Sequence, residues 1–166
     1  MPAHSHQPAE MREPVTVFLD SPEATARLAG RIAARARPGD ALLLEGPLGA
    51  GKSAFARAFL RAASRDPALE VPSPTFTLVQ GYDLPAGPAF HFDLWRLDGP
   101  DGLMELGWEE AREGIVLVEW PDRLGALRPN DALTVALAMP HPLGADETGR
   151  VATLTGWDGR LEGIGT

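Results

Sequence analysis

Two spacings of apolar residues alternate along the chain. Val15-Thr16-Val17-Phe18-Leu19 has the short, β-branched and apolar pattern of a strand. Asp20 or Ser21 can then cap a helix, with Pro22 in its first turn and Glu23 at the positive end of its dipole. The helical spacing runs to about Arg37, where Pro38-Gly39-Asp40 ends it. Ala41-Leu42-Leu43-Leu44-Glu45 is apolar on both alternating faces until its last residue, as in a buried parallel strand. Residues 54–64 return to helical spacing, with Phe55, Ala58, Phe59 and Ala62 on one face and Arg57 and Arg61 on another. In the first helix Arg27, Arg31 and Arg35 form a stripe, read as a solvated face with partner docking as the alternative.

Beyond Glu70 the helical pattern stops. Val71-Pro72-Ser73-Pro74-Thr75 carries two prolines in five residues and must be a stiff, extended loop. Residues 76–82 and 89–95 have strand character on either side of a turn at 83–88, which predicts a hairpin. Residues 99–113 are polar with helical pieces. Ile115-Val116-Leu117-Val118-Glu119 is a second fully apolar strand ending in a carboxylate. Residues 131–139 and 150–155 alternate as a late hairpin, and the glycine-rich tail from Gly156 is expected to pack only through Trp157. There is no internal repeat. Strands alternating with helices predict one α/β domain over residues 15–155, flanked by tails at 1–14 and 156–166.

The loop between the second strand and the second helix changes the picture from fold to chemistry. Gly46-Pro47-Leu48-Gly49-Ala50-Gly51-Lys52-Ser53 matches G-x-x-x-x-G-K-[ST], the phosphate-binding P-loop. Lys52 is the only lysine beside fourteen arginines. A compact ammonium reaches between β- and γ-phosphates where a planar guanidinium fits poorly, so its use here follows from the ligand. Backbone N–H groups of the loop and the helix N-terminus supply further positive charge, and the Ser53 hydroxyl is placed for Mg²⁺. The fold class expected is a three-layer P-loop nucleoside triphosphate hydrolase with a mixed central sheet. Acids must accompany such a loop. Glu119 ends an apolar strand, where open α/β sheets bind ligands, and Asp93 shares a strand face with His91 and Trp95. His91 reads as a satisfied, partly buried imidazole rather than a base. Ser73-Pro74-Thr75 offers Thr75 where switch loops present a hydroxyl to metal and γ-phosphate, and Trp120 either lines the pocket or packs structurally.

Composition narrows the partners. The net charge is −8 and the pI about 4.9, which disfavours direct nucleic-acid binding by the isolated chain and favours protein partners with basic surfaces. The absence of cysteine excludes disulfides and thiolate metal sites. Residues 1–14 hold His4 and His6 but no apolar block, so neither a signal peptide nor a membrane span is expected there. A disordered or processed tail and a cytoplasmic location are expected instead.

The P-loop is followed in order by Pro72-Ser73-Pro74-Thr75-Phe76-Thr77-Leu78-Val79, His91-Phe92-Asp93-Leu94-Trp95-Arg96-Leu97 and Val118-Glu119-Trp120-Pro121. This series over residues 15–140 closely resembles the bacterial TsaE (YjeE) family, small ATPases of tRNA threonylcarbamoyladenosine (t6A) biosynthesis. The resemblance implies a cytoplasmic, Mg²⁺-dependent ATPase acting on a TsaB–TsaD pair. It also implies metal roles for Ser53 and Glu119, a part in hydrolysis for Asp93, and a switch-like role for the Ser73–Thr75 stretch. Ser53 stands where Thr is commoner, Trp95 where Tyr is usual, and Pro47 where an acid is usual. A small-molecule kinase is the alternative, with Arg96 or Arg112 as lid arginine. A GTPase is set aside. Asp122 to Gly125 and Asp146 to Gly149 fit D-x-x-G, but N-K-x-D is impossible because Asn130 precedes Asp131 and the lysine is already used.

Overall fold

The computed structural model describes residues 13–140 and 149–165, so most of the expected N-terminal tail, with His4 and His6, lies outside the described residues. The elements in chain order are β1 (Val15–Leu19), α1 (Pro22–Arg35), β2 (Ala41–Glu45), α2 (Lys52–Ser64), β3 (Val79–Leu84), β4 (Gly87–Asp93), α3 (Trp108–Ala111), β5 (Ile115–Glu119), β6 (Leu133–Ala138) and β7 (Arg150–Thr155). Short 3₁₀ turns at Pro100–Gly102, Met104–Leu106 and Pro121–Leu127 fill the connections around α3 and β5. The strands form one sheet of seven in the order β1-β7-β6-β2-β5-β4-β3. Its centre, β6-β2-β5-β4, is parallel, and β7, β1 and β3 add antiparallel to the edges. The mixed α/β sheet expected from the sequence is present.

Strand alternation sorts the apolar side chains into two cores. Leu42, Leu44, Ile115, Leu117 and Ala89 face α1 and α2, meeting Leu28, Ile32, Phe55 and Phe59. Ala41, Leu43, Val116, Val118 and Phe92 face the other way, against Leu103, Trp108 and Leu124. These are the three layers. The same period of two carries His91 and Asp93 on β4, and Glu119 on β5, onto the α2 side of the sheet. Register places Asp93 opposite Glu119 at the C-terminal ends of two neighbouring parallel strands.

Several boundaries differ from the sequence reading. Helix α1 begins with Ser21 Oγ accepting the Ala24 N–H at 3.1 Å, as expected, but stops at Arg35. Arg37 precedes proline, which disfavours helical backbone, and its N–H is taken by the Asp40 carboxylate at 2.7 Å. Helix α2 starts at Lys52, and its buried face is Phe55, Ala56, Phe59 and Leu60. Ala58 is partly buried and packs against that core, while Ala62 is exposed. β3 begins at Val79 because the Leu78 N–H bonds the Pro74 carbonyl at 2.7 Å, closing a turn with Leu78 at φ 69°. The C-terminal tail packs through more than Trp157. Ile164 is buried, and Arg160 lies over the Trp157 ring while bonding both Asp40 oxygens at 2.8 Å. Arg31 and Arg35 donate to the carbonyls of Ile164 and Glu162, so these two members of the arginine stripe clamp the tail rather than face solvent alone.

Candidate functional site

The P-loop leaves β2 at the C-terminal edge of the sheet and turns into α2. Gly46 (φ 143°) has no room for a side chain, since a Cβ there would stand 2.4 Å from the Leu137 carbonyl oxygen. Gly51 caps α2 at φ 103°, a left-handed conformation open to glycine at little cost. The tight loop therefore presents the start of α2, where backbone N–H groups lack intrahelical partners, to one cleft.

That cleft, of about 410 Å³, brings together most of the side chains singled out in the sequence. It is lined by Leu48, Gly49, Gly51, Lys52 and Ser53 from the loop, with Ser73 and Thr75, Asp93 and Trp95, and Glu119 and Trp120. Gly46, Pro47 and Ala50 do not line it. Gly46 and Ala50 shape the loop from behind, with Ala50 fully buried, and Pro47 is exposed.

Lys52 is buried, with Nζ donating to the Gly46 carbonyl and lying 3.4 Å from the Trp120 ring centroid. Burial pushes its ammonium below the ordinary value of 10.5, against the opposing pull of Glu119, Asp93 and Asp122. Ser53 Oγ donates to Glu119 Oε1 at 2.9 Å. Glu119 Oε2 lies 2.7 Å from His91 Nε2, and both residues are buried. His91 is thus more deeply enclosed than the sequence suggests, and its Nδ1 has no hydrogen-bond partner among the described residues. Asp93 accepts from the Trp95 backbone N–H at 3.1 Å and from Thr75 Oγ1 at 3.4 Å, while Thr75 and Ser73 hydroxyls are 2.8 Å apart. Trp120, at φ 59°, stacks obliquely on Trp95 at 4.4 Å, so it belongs to the cleft wall.

Among the described residues no group of three or more His, Cys, Asp or Glu side chains forms a self-contained metal cage. The hydroxyl of Ser53 beside the Glu119 carboxylate is a hard-oxygen pair. It suits Mg²⁺, which keeps several waters and takes remaining ligands from substrate phosphates. The residues present therefore fit a metal that arrives with a nucleotide.

A second cavity, about 530 Å³, shares Gly51 and Ala54 with the first and continues between α1 and α2. Leu19, Pro22, Thr25, Ala58, Leu137 and Arg150 are among its lining. Sequence reasoning missed it. The signal was the small-residue stripe Ala54, Ala58 and Ala62, assigned in part to the core. Of the two arginines considered for a kinase lid, Arg112 donates to the Gly39 carbonyl at the opposite end of β2, away from the cleft. Arg96 stacks on exposed Phe76 at 4.4 Å.

Among the described residues no helix is long and apolar enough to cross a membrane. The family described as Threonylcarbamoyl adenosine biosynthesis protein TsaE matches residues 19–142. A Rickettsia conorii protein named tRNA threonylcarbamoyladenosine biosynthesis protein TsaE is 40% identical over 105 residues, 63% of this chain and 59% of that protein. The chain thus spans well under two thirds of that relative. A Bacillus subtilis protein of the same name is 36% identical over 144 residues, covering 86% of this chain and 85% of its own length. The crystal structure of YdiB from Bacillus subtilis superposes with a TM-score of 0.67 at 28% identity, covering 94% of each chain. With the family match spanning most of the sheet and the Bacillus subtilis relative covering most of the chain, the chain belongs to the TsaE family of threonylcarbamoyl adenosine biosynthesis proteins.

Proposed function

We propose that this protein is the ATP-binding and ATP-hydrolysing component of tRNA t6A37 modification, working as a nucleotide switch on a TsaB–TsaD complex in the cytoplasm. One observation carries the reading: Lys52, Ser53, Asp93 and Glu119 meet in a single cleft at the start of α2. Lys52 then leaves the Gly46 carbonyl for the β- and γ-phosphates, joined by the loop N–H groups. Ser53, through its hydroxyl, and Glu119, directly or through water, would hold Mg²⁺. When bound, Mg²⁺ would offset the negative charge of the phosphates. Asp93, at the far side of the cleft, orients the attacking water and accepts its proton. Thr75 responds to the γ-phosphate through its loop. The neighbouring cavity, largely apolar and continuous with Gly51, takes the ribose and base.

Leu48, Phe76 and Trp95 are large, exposed apolar side chains beside the cleft, the kind of surface a protein partner covers. A docking partner there would read the nucleotide state directly. The test is association of purified TsaB and TsaD with the protein in ATP, ADP or no nucleotide, together with phosphate release without any added acceptor. Nucleotide-dependent association and acceptor-free turnover are expected. ADP release that requires a small-molecule acceptor would establish the kinase alternative instead.

A further inference from the structure

We propose that His91 is a positioning residue that aims the Glu119 carboxylate at the metal. The inference rests on the ATPase reading, and goes beyond it to a residue that touches neither nucleotide nor metal.

Glu119 has only two oxygens, and both are committed. Oε1 accepts from Ser53, the hydroxyl at the start of α2, at 2.9 Å. Oε2 lies 2.7 Å from His91 Nε2 in a contact whose side chains are 3% and 1% exposed. An ionised carboxylate only accepts, so Nε2 carries the hydrogen and donates. The ring's other nitrogen, Nδ1, is buried with no hydrogen-bond partner among the described residues. A buried imidazole placed for packing alone would satisfy both nitrogens or be replaced by an apolar side chain. This one keeps a single bond, and that bond goes to the carboxylate facing Ser53.

The backbone explains the reach. His91 lies opposite Leu117 on the adjacent parallel strand, two residues before Glu119 and on the same face. Its ring therefore runs up the sheet beneath the carboxylate. Without the ring, Glu119 could rotate about its terminal bonds, and Oε1 would no longer point consistently at Ser53. Partners that orient metal-holding groups in this way commonly change metal affinity by about 10–100-fold when removed.

The experiment is calorimetric titration of a non-hydrolysable ATP analogue into the full chain, with Mg²⁺ or with EDTA, for wild type, His91→Leu, His91→Gln and His91→Asn. The glutamine amide nitrogen falls near the Nε2 position, whereas that of asparagine falls near Nδ1. In His91→Leu the gain in affinity from Mg²⁺ should shrink by about tenfold, with EDTA affinity kept within about twofold. Gln should restore most of the gain and Asn should not. Equal losses with and without Mg²⁺, an unchanged Leu variant, or Gln no better than Asn would overturn the proposal. If the Leu variant does not fold, judged by its melting curve, the contrast between Gln and Asn decides alone. Wild type without Mg²⁺-dependent binding would overturn the ATPase reading and this one together. Normal wild-type binding with unmoved variants overturns this one only.

Discussion

Lys52 carries the largest local consequence. It is buried against Trp120 and a carbonyl, with carboxylates as its nearest charges, and under the proposed function it would turn from that carbonyl to a triphosphate. Lys52→Ala is expected to weaken ATP binding by about 100-fold or more, matching ~3 kcal/mol of charge-assisted contact. Equilibrium titration measures it, and near-normal affinity would reject the site. The sign of the pH effect also follows. Burial lowers the Lys52 pKa from 10.5, so the free protein loses this charge at lower pH than an exposed lysine does. ATP affinity should therefore begin to fall on the acidic side of 10.5 as pH rises, and Lys52→Ala should lack that limb. Asp93 sits across the cleft, bonded to Thr75 and the Trp95 N–H. Asp93→Asn should bind ATP within about threefold of wild type and hydrolyse it about 100-fold more slowly, the usual share of a general base. Single-turnover phosphate release separates the two effects, and unchanged turnover would leave Asp93 a structural role.

Among the elements, the P-loop makes two different demands on glycine. Gly46 is restricted by space as well as by its positive φ, Gly51 by backbone conformation alone. Gly46→Ala drives a methyl into the Leu137 carbonyl on β6 and should cost about 2–4 kcal/mol of stability, since neither backbone can retreat. Gly51→Ala meets no atom within 4 Å and carries only the left-handed strain, about 1–2 kcal/mol. Chemical denaturation of both variants tests the order, which reverses if crowding at Leu137 is relieved by loop movement. The hairpin β3–β4 shows a second elemental rule. Its first residues look like strand, yet Pro74 and Leu78 close a turn that keeps Thr75 beside Asp93. A strand beginning at Phe76 would open the Pro74–Leu78 turn that holds the Thr75 hydroxyl beside Asp93.

At the level of the whole molecule, the C-terminal tail is a strap across the end of α1 distant from the P-loop cleft. Arg160 spans it, bonded to both Asp40 oxygens and stacked on Trp157. Arg160→Ala should cost about 2 kcal/mol, a fall in Tm of roughly 4–8 °C for a domain of this size, with ATP affinity unchanged. Thermal unfolding and titration of the same sample check both halves, and lost ATP binding would mean the strap reaches the site. The division of labour between sequence and tertiary structure follows from range. The short apolar runs of Val15–Leu19, Ala41–Glu45 and Ile115–Glu119, and the glycines and lysine of the loop, are local demands of backbone geometry and loop chemistry, so they were legible residue by residue. The strand end at Glu119 was legible for the same reason, whereas the end of β4 at Asp93 was not, because residues 89–95 read as one strand. What touches what was not. The His91–Glu119 contact, the Lys52–Trp120 stack, the tail clamped by Arg31 and Arg35, and the cavity behind Ala58 all join segments far apart in the chain. Those contacts depend on register and strand order, which the packing of the two cores selects and no local spacing encodes.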